Sequence, residues 1–185
     1  MATSKSPSKR RSTKKAPSRT SRSRSSSKAG STVPRITGAN AGKATDILQA
    51  RLYSLLDLQL TLKHIHWNVT GPTFISVHEM LDPQVLSVRE MSDAVAERIA
   101  TLGSAPWGTP GAIVEGRSWD DYDLGRDSTE AHLNKLDAVY RGVIEDHREA
   151  LEQLEELDPV SEDLLTGQLA DLELFAWFIR SHLGN

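Results

Sequence analysis

The sequence predicts an all-α protein: one four-helix bundle preceded by a disordered basic arm. Three observations carry that expectation. Leucine and other apolar side chains recur at helical spacing through four long segments. One Gly/Pro-rich stretch, residues 103–128, separates the second segment from the third. Residues 1–30 hold ten of the 22 Lys/Arg and no Asp or Glu. The arm is expected to span residues 1–38 and the bundle 39–185.

The arm reads as Ser, Lys, Arg, Pro and Thr with almost no apolar side chains. Such a segment cannot bury enough apolar area to offset its chain entropy, so it should be disordered. Its cations are Lys5, Lys9, Arg10, Arg11, Lys14, Lys15, Arg19, Arg22, Arg24 and Lys28. They suit phosphate contact, and nothing beside them offers base-specific readout. DNA binding by the arm would be non-specific and steeply salt-dependent. An organellar transit peptide is also Arg/Ser-rich and acid-free, but it carries an amphipathic apolar stripe, which is missing here. An arm lying on its own acidic body, or serving only solubility, is a further reading. The body supports it in charge, holding twelve basic residues against all 25 acidic ones, a formal −13.

The first helix, from about Gly42 to Val69, places Ile47, Leu48, Leu52, Leu55, Leu56, Leu62 and Ile65 at helical spacing, and Gly71-Pro72 breaks it. Ser76 and Glu79 have capping-box spacing, so the second helix should begin there or a turn earlier. It runs to Leu102, where Gly103 ends it. The long crossover lets the second and third helices run in the same direction. The third helix, about Thr129 to Leu157, has Leu133, Leu136, Tyr140, Val143, Leu151 and Leu154 facing inward, with His132 and His147 read as surface residues. Asp158-Pro159 reads as an N-cap followed by proline at the first helical position. The fourth helix then carries Leu165, Leu169, Leu172, Phe175, Trp177 and Phe178, the aromatics read as core and interface packing, and stops at Gly184.

Composition excludes several classes of function. With no cysteine there is no disulfide, thiolate metal site or thiol catalysis. No apolar run reaches the roughly 18–20 residues a membrane span needs, and no secretory apolar region is evident. No membrane partner is expected, and the location expected is cytoplasmic.

The chemistry concentrates between Lys63 and Leu102. His78 and Asp82 are four residues apart on the second helix, as are Asp93 and Glu97. Residues so spaced share a helix face, so each pair can grip an ion. Imidazole with carboxylate suits iron, manganese or zinc better than calcium. At 1.5 Å per residue, however, Asp82 and Glu97 lie ~22 Å apart along the axis, whereas paired catalytic metals sit ~3.5–4 Å apart. One helix cannot close both pairs on one site. His78 with Glu97, and Asp82 with Asp93, share a midpoint between Ser87 and Val88. A two-fold axis there would set His78 opposite the partner's Glu97 and Asp82 opposite the partner's Asp93. His66, on the preceding helix, is the natural extra ligand.

Plainer readings compete with this one. Four polar residues at helical spacing also describe a solvated face. HEMLD has part of the zincin H-E-x-x-H pattern, but no third ligand is evident. No histidine has Glu three residues before it, so a di-iron site confined to one bundle is not expected.

The run HWNVTGPTFISVHEMLD followed by SDAVAERIATLG resembles the Dps family, the DNA-binding proteins from starved cells. The family's matching run is HWN, a Gly, a Phe, HEMLD and, further on, D-x-x-x-E-R. The likeness extends from about Thr45 to the C-terminal AWFIRSHL. It implies a ferritin-like four-helix subunit with a small helix in the crossover, placed here around Trp119–Leu124. It further implies a hollow homo-dodecamer built from two-fold dimers, with ferroxidase sites of one or two irons across the interfaces and no organic cofactor. His66, His78 and Asp82 would come from one subunit, and Asp93 and Glu97 from its partner. Trp67 matches the tryptophan beside the site, as radical trap or interface packing, and Lys63 a nearby lysine. Glu145 and Asp146, beside a stripe of Glu149, Glu152 and Glu156, would line a pore or nucleate mineral; a solvated face is the plainer account. The function expected is a ferroxidase and iron-storage nanocage that uses hydrogen peroxide and protects DNA in the nucleoid. A non-catalytic, histone-like DNA condenser with a vestigial metal site is the alternative, and an iron or zinc buffer with a solubilising tail a third.

Overall fold

A computed structural model of the chain describes residues 31–184. Among these, four long helices are α1 (Gly38–Asn68), α2 (Phe74–Thr101), α4 (Thr129–Leu154) and α5 (Pro159–Leu183). A short α3 (Pro110–Gly116) lies in the crossover, and the two-residue strands β1 (Val69–Thr70) and β2 (Asp127–Ser128) pair in parallel. The arm's ten cations lie outside the described residues.

Local chemistry sets the helix boundaries. The Thr37 side chain accepts from the Asn40 amide at the start of α1, and Ser128 from the Ala131 amide at the start of α4. Asp158 and Pro159 open α5 as the sequence predicts, and Gly184, at φ 78°, closes it in the left-handed region that favours glycine. Ahead of α1, Val33 and Ile36 pack on the core, and Thr32 donates to the Thr101 carbonyl at the end of α2.

The bundle's direction follows from the strand pair. Val69 opposite Asp127 puts the end of α1 beside the start of α4. With a tight turn between α1 and α2, α4 therefore runs with α2, as the long crossover predicted. The core is a continuous leucine-rich cluster, including Leu48, Leu55, Leu62, Leu81, Leu136 and Leu172 at 0% exposure. Each such side chain contributes roughly 1.5–3 kcal/mol of burial. No helix among the described residues is long and apolar enough to cross a membrane.

Several expectations need correction. α2 starts at Phe74, within the turn expected, but the Ser76–Glu79 capping box does not form, and Ser76 donates to the Thr73 carbonyl instead. No helix forms at Trp119–Leu124. There the Trp119 indole donates to Asp57 at 2.7 Å, and Arg117 reaches Asp57 and Asp121, holding the segment extended on α1. The crossover helix forms upstream, where Pro110 suits a first helical position. It ends at Gly116, where a Cβ would come within 2.2 Å of the Tyr53 ring. Pro83 lies inside α2, which spans Phe74–Thr101 as one helix. His132 and His147, read as surface residues, are both at 0% exposure. Of the aromatics read as core and interface packing, Phe175 packs on the core and Trp177 is exposed on the single chain.

Candidate metal centre

The end of α1 and the second turn of α2 bring His66, His78 and Asp82 together. The tight turn after β1, with Gly71 at φ 120°, folds α2 back so that the two histidines meet face to face. Their rings stack with centroids 3.6 Å apart and an interplanar angle of 22°. His66 Nδ1 lies 3.0 Å from the His78 carbonyl oxygen, and His78 Nδ1 lies 2.8 Å from the His66 carbonyl oxygen. A carbonyl oxygen only accepts, so each Nδ1 carries the hydrogen. The tautomer so fixed leaves the lone pair of each ring on Nε2. A ligating histidine needs this arrangement, with one nitrogen held by a carbonyl and the other open to a metal.

Asp82 completes the group. Its Oδ1 is 3.3 Å from His66 Nδ1 and 2.9 Å from Lys63 Nζ. The Lys63 hydrogen bond holds the Asp82 carboxyl below the usual carboxylate range, the nearby histidines adding to the effect and partial burial opposing it. The carboxylate is thus ionised at neutral pH. Two imidazole nitrogens and one anionic oxygen are donor types that suit ferrous iron. Lys63 also sits over the exposed Trp67 ring, 5.9 Å from its centroid, and the Phe74 ring tilts against His78 at 4.9 Å.

Asp93 and Glu97 lie three to four turns further along α2, both exposed and remote from the His66–His78–Asp82 group. Among the described residues, no group of three or more His, Asp or Glu side chains is gathered tightly enough to hold a metal within one chain. Arg98, next to Glu97, points the other way. It donates to Asp158 at 2.6 Å and to Ser161 at 3.0 Å, tying the end of α2 to the start of α5. His64 also faces away from the group, 2.7 Å from the Leu124 carbonyl, as its offset of two residues from His66 predicted.

Spacing found the five candidate ligands but neither the carbonyl lock nor the Arg98 latch. The lock depends on the turn at 69–73, and the latch on a contact between residues 60 apart. Of the two acidic candidates on α4, Glu145 is exposed, whereas Asp146 is half-buried and paired with Arg51 at 3.0 Å.

Comparison with known proteins agrees with the geometry. Residues 45–185 match the ferritin-like domain family. The chain is 57% identical over 152 residues to the DNA protection during starvation protein of Mycolicibacterium smegmatis, covering 82% of this chain and 83% of that one. It is 52% identical over 154 residues to the fine tangled pili major subunit of Haemophilus ducreyi, covering 83% and 82%. Among solved structures, Mycobacterium smegmatis Dps in its tetragonal form superposes with a TM-score of 0.81 at 57% identity, over 82% of this chain and 93% of that one. DpsA14 from Streptomyces coelicolor gives 0.82 at 57% identity, over 83% and 91%. With five helices arranged as a ferritin-like bundle and this extent of identity, the chain belongs to the Dps family.

Proposed function

We propose that the protein is a ferroxidase and iron-storage subunit, that its oxidation site is completed by a second copy, and that its arm binds DNA. The observation that carries the reading is the reciprocal lock between His66 and His78. It fixes both tautomers in the form that can ligate and sets both rings beside an ionised Asp82. Its test is the growth of ferric absorbance after Fe²⁺ and hydrogen peroxide are added to wild type and to His78→Ala/Asp82→Ala. Loss of the fast phase in the variant is expected, and equal rates would overturn the enzyme reading.

In this reading Fe²⁺ is the substrate. His66 and His78 supply neutral nitrogen donors that hold the ferrous ion. Asp82, with Asp93 and Glu97 of the second copy, supplies hard anionic oxygen, which favours the ferric product. Lys63 keeps Asp82 charged and aimed. The surface around the half-site supports a second copy. Leu60, Trp67, Ile75 and Leu86 on α1 and α2 are 57–71% exposed, unusual for large apolar side chains. A cleft of about 570 Å³ runs past Leu86, Arg89, Glu90 and Asp93, beside the sequence midpoint of the candidate ligands. Assembly into a homo-dodecamer of such dimers would enclose the ferric product, with Glu145 at a pore or on the inner wall.

Residues 1–38 would act as the DNA-binding arm, and many arms on one particle would multiply weak phosphate contacts. A truncated chain starting at Thr32 should lose DNA retardation in a gel at low salt. Retardation that survives the truncation would remove the arm from the DNA contact. This activity would place the protein with the nucleoid in the cytoplasm.

A further inference from the structure

The two halves of the proposed site are braced differently. His66 and His78 are held by each other's carbonyl, and Asp82 by Lys63. Asp93 and Glu97 are exposed, so their placement rests on the helix that carries them. Glu97 has the weaker support, because α2 ends one turn later at Thr101, and Gly103 follows at φ 91°. The last carbonyls of a helix lack intrahelical partners, and its final turn frays. A carboxylate there is aimed only as firmly as that turn is fixed.

Arg98 fixes it. Its side chain leaves α2 ~100° around the helix from that of Glu97, towards α5. There Nη2 donates to Asp158 Oδ2 at 2.6 Å, while Nε donates to the same oxygen at 3.2 Å and to Ser161 Oγ at 3.0 Å. The Ser161 hydroxyl in turn donates to Asp158, which closes the triad. Asp158 and Ser161, at the start of α5, are 1% and 0% exposed. Solvent, which makes exposed ion pairs weak and mobile, is therefore kept from this one. A second tie lies two residues before Asp93, where Gln168 of α5 donates to the Met91 carbonyl at 3.1 Å. The stretch that carries Asp93 and Glu97 thus runs between two polar ties to α5.

We infer that Arg98 is a positioning residue for iron oxidation: anchored on Asp158 and Ser161, it sets where Glu97 meets the half-site of the second copy. The inference rests on the shared site proposed above. Arg98 is no ligand itself, being cationic and turned to α5. It acts through Glu97, and Glu97 serves the other chain. Loss of Arg98 therefore weakens the site completed on the neighbouring copy, an effect in trans that a residue needed only for the fold would not show. Partners one step removed from a metal typically matter by 10–100-fold in affinity or activity.

Two inactive full-length chains provide the test. One, with His78→Ala/Asp82→Ala, lends only Asp93 and Glu97. The other, with Asp93→Ala/Glu97→Ala, lends only His66, His78 and Asp82. A mixed dimer of the two holds one intact site. Arg98→Met is placed either on the first chain, behind the Glu97 in use, or on the second, where Glu97 is already gone. Ferric absorbance is then followed after Fe²⁺ and hydrogen peroxide are added. Both mixtures lose the same contact with α5 once per dimer, yet the first should oxidise iron roughly tenfold more slowly than the second. Equal rates would overturn the inference. If chains with Arg98→Met do not assemble, Asp158→Asn, which keeps the size of the side chain and removes its charge, takes its place, with the same order expected and equality again overturning. Failure of the two chains to restore oxidation before Arg98 is changed would instead remove the shared site, and the inference with it.

Discussion

Two pairs of histidines show how one side chain serves opposite ends in one bundle. His66 and His78 sit at the rim between α1 and α2, with each Nδ1 tied to the other's carbonyl and each Nε2 left with the lone pair. His132 and His147 sit inside, at 0% exposure, with Nδ1 held by Tyr122 and Val143 and with Nε2 buried. All four rings are anchored through Nδ1. What differs is the surroundings of the ring: an ionised carboxylate beside His66 Nδ1 at the rim, and a buried, unpartnered Nε2 in the inner pair. Placement alone separates the candidate ligands from the structural imidazoles.

The contrast breaks most sharply under substitution. His78→Ala/Asp82→Ala should slow iron oxidation by more than roughly 100-fold, beyond the loss typical of an outer partner, and leave the unfolding midpoint nearly unchanged. His147→Leu should do the reverse. It sets an apolar side chain against the buried polar side chains of Arg51 and Gln168 and should destabilise the fold by about 1–3 kcal/mol in chemical denaturation, with the oxidation rate per folded site preserved. If His147→Leu abolished oxidation in a fully folded particle, the separation of roles would fail.

Acid should find the inner pair next. Burial holds His147 down at about 4 and lowers His132 as well, while both regain ordinary values on unfolding. The unfolded chain therefore binds more protons over this range, so stability is full above about pH 6.5 and falls as pH drops towards 4. His147 alone should remove about 2 kcal/mol between pH 7 and 5, visible as a falling urea midpoint that flattens in His147→Gln. An unchanged slope in that variant would show the proton goes elsewhere. Asp158 and Asp82, both held below the usual range, keep their contribution until the pH falls further. The smallest effect should be that of Lys63→Met, which removes the main cause of the lowered Asp82 pKa. Oxidation should slow by roughly tenfold or less, with the acid limb of its pH profile moved upward. A profile that stays in place would mean Lys63 only packs against Trp67.

The inner pair also shows what the sequence disclosed and what was missed. Leu133, Leu136, Tyr140, Val143, His147, Ala150 and Leu154 follow one inward stripe of α4, and every one of them is buried. That pattern was legible, and reading His147 by its polarity rather than its place on the stripe gave the error. The four long helices, the Asp158-Pro159 start and the Gly184 stop were local signals and were legible too. The β1–β2 pair joins two-residue strands 58 positions apart, a contact no local pattern encodes. The crossover helix was misplaced because Asp57, far away in α1, takes up Trp119 and Arg117. At the candidate metal centre, the proposed ligands came from spacing and from the family resemblance, whereas the carbonyl lock needed the folded turn.

The central claim is that the two halves of the site belong to different copies of the chain, and mixed assembly tests it most directly. Subunits with His78→Ala/Asp82→Ala and subunits with Asp93→Ala/Glu97→Ala should each be inactive alone. Co-assembled in equal amounts, half of the two-fold dimers would be mixed, and each mixed dimer would hold one intact site. Oxidation should then recover to about a quarter of the wild-type rate. A mixture as inactive as its parents, or an Asp93→Ala/Glu97→Ala parent already as fast as wild type, would contradict it.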